Sequence, residues 1–268
     1  MSETSDNEDN ERTFIQMSQL DHVKRKPGMY IGSVNLHTKP MYILDANTDK
    51  FVLFDMEFSP GILKIFDEVL VNAIDHHTNY PDKVKNIYIN FDMETGIISI
   101  KNDGPGISIV QVDTIHDGKM YKAQGLFSQF LSGDNFEVSA ERITGGTNGL
   151  GSKLSNAFSD LFCVETYDEK KKSLYTQTFK NRLTIIEPPI ITQEDGNGYT
   201  KIVFTPNYKA LGYKKYTPEI GKNIYKLIEM RAFQTAAFVG KACTIYFDRA
   251  PLTFEGGKSP FNQFAEMF

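Results

Sequence analysis

Apolar residues recur at helical spacing over one long stretch, where Ile62, Leu63, Ile65, Phe66, Val69, Leu70 and Ala73 form a broad face running to about Thr78. Ser59 stands where an N-cap is wanted and Pro60 takes the first helical position, so the pattern predicts a helix starting there. Thr217-Pro218 repeats that signal and predicts a second long helix to about Phe238. Elsewhere the period shortens to two. Residues 86–91 alternate, Met93-Glu94-Thr95-Gly96 supplies a turn and 97–100 return, which reads as a β-hairpin. Strands are also predicted at 161–167, 174–179, 183–186 and 200–205, with hairpin signals at 168–172 and at Asp195-Gly196-Asn197-Gly198. A last hairpin is predicted from 244–248 and 252–254, and short helices near Leu20, over 123–131 and over 152–158. The sum is an α+β fold, one mostly antiparallel sheet with helices on one face.

Composition changes this picture little. The chain has 268 residues, 40% hydrophobic and 24% charged, and no apolar run approaches the roughly 18 residues of a membrane span. The acidic N-terminus lacks the basic-then-apolar pattern of a secretory signal, so an intracellular protein without a membrane partner is expected. Cys163 and Cys243 sit in apolar strand-like runs without metal-ligand spacing and read as reduced core residues. Charge is more informative. Glu3, Asp6, Glu8, Asp9 and Glu11 account for the whole net charge of -5, so residues 1–11 read as an acidic, disordered tail on a nearly neutral body.

Three constellations could carry chemistry. Glu68, Asn72 and Asp75 follow i, i+4, i+7 spacing, which puts them on one stripe of the first long helix. A carboxylate there could deprotonate a water and a carboxamide could hold Mg²⁺, although a solvated polar face fits the spacing equally well. Asp103-Gly104-Pro105-Gly106-Ile107 follows a strand. The Asp could accept from an exocyclic amine while the glycines admit a flat ring, and an ordinary turn is the plain alternative. Third, the run from Thr144 to Lys153 is a glycine-rich loop entering a helix N-terminus, suited to a polyphosphate. It is not the Walker pattern, because Ser152 precedes Lys153. Residues 104–151, rich in Gly, Ser, Asp and Asn, read as a functional lid.

The order of these pieces, ending with Thr200 on a late strand, resembles that of the GHKL ATPases, which include DNA gyrase, MutL, histidine kinases and a heat-shock chaperone. Within them the resemblance is to type IIA DNA topoisomerases. Residues 17–32 resemble the N-terminal stretch that leads to PGMYIGS, 66–75 the FDEILVNAxD helix, 129–153 the lid with its TGGxNGxGxKLxN loop, and 199–206 the YTxIxFxPD strand. The similarity runs over roughly 12–268. It implies a GHKL ATPase sandwich with 12–32 as an N-terminal arm and 33–268 as the ATP-binding domain, binding ATP with Mg²⁺. It implies Glu68 as the general base, Asn72 as the Mg²⁺ ligand and Asp75 as support. Asp103 would read the adenine amine with Thr200 nearby, and Gly106 and Ile107 would line the base pocket. Asn135, Thr147, Asn148, Gly149, Leu150, Gly151 and Lys153 would wrap the phosphates. Phe14 would belong to an arm that crosses between protomers of an ATP-closed homodimer, and DNA would be the partner of the full-length enzyme.

Three departures accompany the resemblance. Thr147 and Leu150 replace an arginine and an aromatic residue of eukaryotic members, and Gly133 and Asp134 replace paired serines. Asp103 stands where those members are expected to carry Asn, a mixture that leaves a nuclear or a virus-associated setting open. The family also supplies a phosphate-contacting lysine from a transducer domain, and neither that domain nor the DNA-cleaving domain is expected within these residues. Slow hydrolysis is the consequence. Another GHKL enzyme and a nucleotide-binding switch without catalysis remain the rival readings.

Overall fold

The computed structural model describes residues 17–114, 118–130, 150–254 and 257–268. In chain order it builds α1 (Gln19–Arg25), β1 (His37–Asp45), β2 (Lys50–Phe58), α2 (Pro60–Asn79), β3 (Asn86–Asp92), β4 (Ile97–Asp103), β5 (Gln111–Thr114), β6 (Gly118–Tyr121), α3 (Lys122–Ser128) and α4 (Gly151–Ala157). It continues with β7 (Ser159–Asp168), β8 (Ser173–Lys180), β9 (Ile185–Ile186), β10 (Ile190–Gln193), β11 (Tyr199–Pro206), α5 (Pro218–Val239), β12 (Thr244–Phe247), β13 (Ala250–Pro251) and α6 (Pro260–Ala265). The main sheet runs β10-β8-β7-β11-β4-β3-β12-β13, with β9 on β8. Its pairings are antiparallel except β12 on β3, which is parallel.

Alternation makes the sheet one-sided. Ile87, Ile89, Ile98, Ile100, Phe162, Val164, Ile202 and Phe204 point to one face and are buried. Ile62, Ile65, Phe66 and Val69 of α2, with Ile224, Ile228 and Ala232 of α5, belong to the same core. Burying a side chain of this size is worth about 1.5–3 kcal/mol, so this layer holds the long helices to the sheet. The opposite face carries half-buried polar and aromatic residues, among them Lys101, whose Nζ lies 4.2 Å from the Tyr199 ring centroid. The α+β architecture expected from the sequence is therefore present. No helix among the described residues is long and apolar enough to cross a membrane.

Several local expectations need correction. Ser59 sits at the N-cap position of α2 without a side-chain capping bond. Its N–H donates to the Tyr213 hydroxyl at 3.1 Å, and its hydroxyl reaches the Ser33 carbonyl at 3.4 Å. Thr217 does cap α5, accepting from Ile220 N at 3.3 Å. The turn at 195–198 is no hairpin, because β10 pairs with β8 while β11 lies between β7 and β4. The strand expected over 183–186 shrinks to Ile185–Ile186, since Asn181, Arg182 and Leu183 all take left-handed φ angles. Within the segment 12–32, Val23 and Ile31 are core members at 0% and 2% exposure, so its part 19–31 packs with the body, and the arm expectation is neither met nor contradicted by this.

Candidate functional site

Helix α2 has two sides, and the site lies on the one the sheet leaves free. Glu68, Asn72 and Asp75 line one wall of a cleft of about 1090 Å³, together with His76 one turn beyond Asn72. The spacing alone puts them in one row. Glu68 pairs through Oε1 with Lys64, and its side chain is 20% exposed. Asp67 turns aside, accepting from Arg231 Nε of α5 at 2.8 Å. Burial pushes the Asp67 carboxyl up despite that guanidinium.

A second wall, adjoining the first, starts at α4. Leu150, Gly151 and Lys153 line the cleft, Lys153 with only 2% exposure. The Ser155 hydroxyl donates to the Ile65 carbonyl at 2.7 Å and Asn156 Nδ2 to the Phe127 carbonyl at 2.9 Å, fixing α4 against α2 and α3. Gly151 of α4 faces Glu68 of α2. A Cβ on Gly151 would lie 2.0 Å from Glu68 Oε2. Asn135, Thr147, Asn148, Gly149 and Phe14 lie outside the described residues.

The floor is a row of polar side chains across three strands. Thr166 of β7, Thr200 of β11 and Asn102 of β4 are direct cross-strand neighbours. Thr166 Oγ1 donates to the Tyr199 carbonyl at 2.9 Å, lies 3.0 Å from Thr200 Oγ1, and accepts from Ile107 N at 2.8 Å. A hydroxyl has one hydrogen, so Thr200 must be the donor to Thr166, and Thr200 offers the cleft only lone pairs. Gly106 and Ile107 line the same end. What Gly106 requires is close approach to the chain, since a Cβ there would sit 1.9 Å from the Tyr167 carbonyl oxygen.

Asp103 is the principal correction. Strand alternation places Ile98, Ile100 and Asn102 on the helix side and sends Asp103 to the other. Asp103 Oδ1 accepts from Lys85 N at 2.7 Å and Asn86 N at 2.9 Å, and Oδ2 accepts from Asn86 Nδ2 at 2.6 Å. It clamps the segment entering β3, while Asn102, 5% exposed, faces the cleft. We therefore expect Asp103→Ala to lower stability by about 2 kcal/mol, the worth of charged hydrogen bonds partly replaced by water, and to leave ligand affinity nearly unchanged. Asn102→Ala, by contrast, should weaken ligand binding in addition to any loss of stability from its two Nδ2 hydrogen bonds. Thermal denaturation with parallel nucleotide titrations checks both, and selective loss of binding in Asp103→Ala would refute the assignment.

Asn102, His76 and Thr166 were not foreseen. The signal for Asn102 was present in the Ile98, Ile100 alternation, and His76 extends the Glu68, Asn72 stripe by one turn. Nothing in the sequence marked Thr166 apart from the rest of its strand.

A family profile described as histidine kinase-, DNA gyrase B- and HSP90-like ATPase matches residues 59–208, which contain α2, the polar row and α4. The chain belongs to this ATPase family. It is 34% identical over 257 residues to DNA topoisomerase 2 of Candida albicans, covering 96% of this chain and 17% of that protein. It is 37% identical over 209 residues to DNA topoisomerase 2 of Saccharomyces cerevisiae, covering 77% and 14%. Among solved structures, the ATPase region of Saccharomyces cerevisiae topoisomerase II superposes with a TM-score of 0.85 at 32% identity, covering 95% of this chain and 64% of that one. The ATPase and transducer domains of DNA topoisomerase II from Balamuthia mandrillaris give 0.85 at 31% identity, covering 95% and 63%. The chain thus spans about a sixth of the length of the curated relatives it matches.

Proposed function

We propose that these residues bind ATP with Mg²⁺ and hydrolyse it, as the ATPase part of a type II DNA topoisomerase whose ATP-driven dimerisation gates DNA passage. The observation that carries the reading is the convergence of Glu68, the α4 start with Lys153, and the Asn102, Thr200 row on one cleft of a GHKL fold. The base end is acceptor-lined, which suits the exocyclic amine of adenine. Gly106 and Ile107 flank that end. Lys153 and the backbone of Leu150 and Gly151 border the phosphate end, with Asn135, Thr147, Asn148 and Gly149 assigned there by resemblance.

In hydrolysis a water oxygen forms the new bond to the terminal phosphorus, the bond to the departing ADP oxygen breaks, and the water's proton passes to the Glu68 carboxylate. Little covalent chemistry falls to the protein, so positioning and charge stabilisation dominate. Magnesium is commonly held by one or two protein oxygens plus phosphates, and Asn72, a neutral oxygen donor exposed to the cleft, fits that demand. When bound, the ion would neutralise phosphate charge. Asp75 supports the same wall. The segments 1–11, 12–32 and 33–268 serve in this reading as acidic tail, N-terminal arm with Phe14 at the partner contact, and ATP-binding domain.

Stabilisation of the transferred phosphoryl group improves when a second domain adds a cation at the terminal phosphate. We therefore expect the 268-residue chain to bind ATP and turn it over slowly, and a longer chain carrying the transducer segment to turn over at least tenfold faster, about the worth of one charge-assisted contact. A coupled phosphate-release assay on both chains tests this. Equal rates would refute the contribution of a second-domain cation, and absence of nucleotide binding would refute the reading as a whole.

A further inference from the structure

The amide of Asn102 lines the proposed base end, and its orientation decides what it can recognise. A carboxamide can turn either way, offering oxygen or nitrogen. Here its Nδ2 has two partners. One is the Asp103 carbonyl at 2.8 Å, which can only accept, so the atom facing it is the donor Nδ2. The other is His76 Nδ1 at 2.7 Å, which must then also accept, with the ring proton on Nε2. Both Nδ2 hydrogens are consumed, and Oδ1 alone is left for the cleft.

We infer that His76 is a positioning residue for base recognition: by accepting from Asn102 Nδ2 it keeps Oδ1 turned to the cleft and so selects a 6-amino purine over a 6-oxo purine. The inference rests on the reading of the cleft as a nucleotide site. Thr200 reinforces it, since its hydrogen goes to Thr166 and it too offers only lone pairs. Two neighbouring acceptors suit an amine and repel the carbonyl oxygen of guanine. The Asp103 carbonyl cannot do this alone, because with His76 absent the second Nδ2 hydrogen is unpartnered and the amide can swing towards a carbonyl in the cleft. His76 is itself held, packed edge-on against Tyr80 with ring centroids 5.2 Å apart. Burial pushes its imidazolium down, against the smaller opposing pull of Asp103, which favours the neutral ring this role requires.

The test compares affinities of the wild-type chain, His76→Leu and His76→Gln for non-hydrolysable ATP and GTP analogues. His76→Leu should lower the ATP-over-GTP preference about five- to tenfold, the worth of one net hydrogen bond. His76→Gln, which restores an acceptor oxygen, should recover most of it. A purely structural histidine would weaken both nucleotides alike, and that outcome, or an unchanged preference in His76→Leu, overturns the assignment alone. Wild-type protein that bound neither analogue would overturn the reading of the cleft and the assignment with it. A second measurement needs no altered protein to fold: nitrogen NMR of the ring should show Nδ1 unprotonated and Nε2 protonated, with the resonance identified by its loss in His76→Gln. A proton on Nδ1 would overturn the proposal.

Discussion

Glu68→Ala is expected to reduce ATP hydrolysis by about 10²–10⁴-fold, the usual worth of a general base, while nucleotide affinity changes little. The expectation comes from what Glu68 touches. Its carboxylate has Lys64 on one oxygen and the α4 start beside the other, and neither contact belongs to the polar row at the base end. Removing it leaves Asn102, Thr200 and Lys153 as they are. The pair with Lys64 is half exposed on the lysine side and contributes little to stability, so the fold should survive the change. Hydrolysis measured beside equilibrium binding of a fluorescent nucleotide separates the roles. If affinity fell as far as the rate, Glu68 would be a structural residue.

The second large effect is expected at Gly151, a position with no conformational need for glycine. It opens α4 outside the left-handed region, unlike Gly104, whose φ is +94°. Alanine is at least as good a helix former there, so propensity would favour Gly151→Ala. What opposes it is Glu68, with Oε2 2.0 Å from where the new Cβ would stand. The blocking atom ends a flexible side chain, so the clash is relieved by moving the carboxylate and not by moving a helix. Stability should change by less than about 1 kcal/mol, whereas a base displaced by about 1 Å costs roughly 10²-fold in rate. Steady-state kinetics with a thermal melt will show it. A variant that melts far below wild type, or that keeps its rate, removes the steric account.

Gly106 offers the contrast. Its blocking atom is the Tyr167 carbonyl oxygen, which is backbone of β7, a strand paired on both sides by β8 and β11, and cannot swing away. The two glycines look alike in the sequence and differ in what yields.

Much of the fold is legible in the sequence because its two long helices carry Pro at the first position and an unbroken apolar stripe. The α2 stripe also carried Glu68, Asn72 and Asp75, so one wall of the site came with the helix. The floor did not. Asp103 was singled out for its chemistry, whereas the side it faces is fixed by strand parity, and Asn102 holds the inward place. The β1–β2 hairpin escaped notice because its apolar residues do not alternate cleanly: Val52, Leu53 and Phe54 are all at least 41% exposed. Long-range partners escaped for a different reason. Nothing local in 190–193 says that it pairs with β8 and not with the strand after the 195–198 turn.

The parallel pairing of β12 with β3 bears on how the chain is made. Thr244 sits beside Asn86 and Phe247 beside Ile89, so a strand near the end of the sequence closes the side of one laid down far earlier. As the polypeptide leaves the ribosome, β3 can find β4 at once through a four-residue turn, yet its other hydrogen-bonding edge stays bare until residue 247 has emerged. Pairing of such large sequence separation is slow, and an open apolar strand edge invites other chains. The nascent protein is therefore most exposed to misassociation in the interval between completing β4 and completing β12.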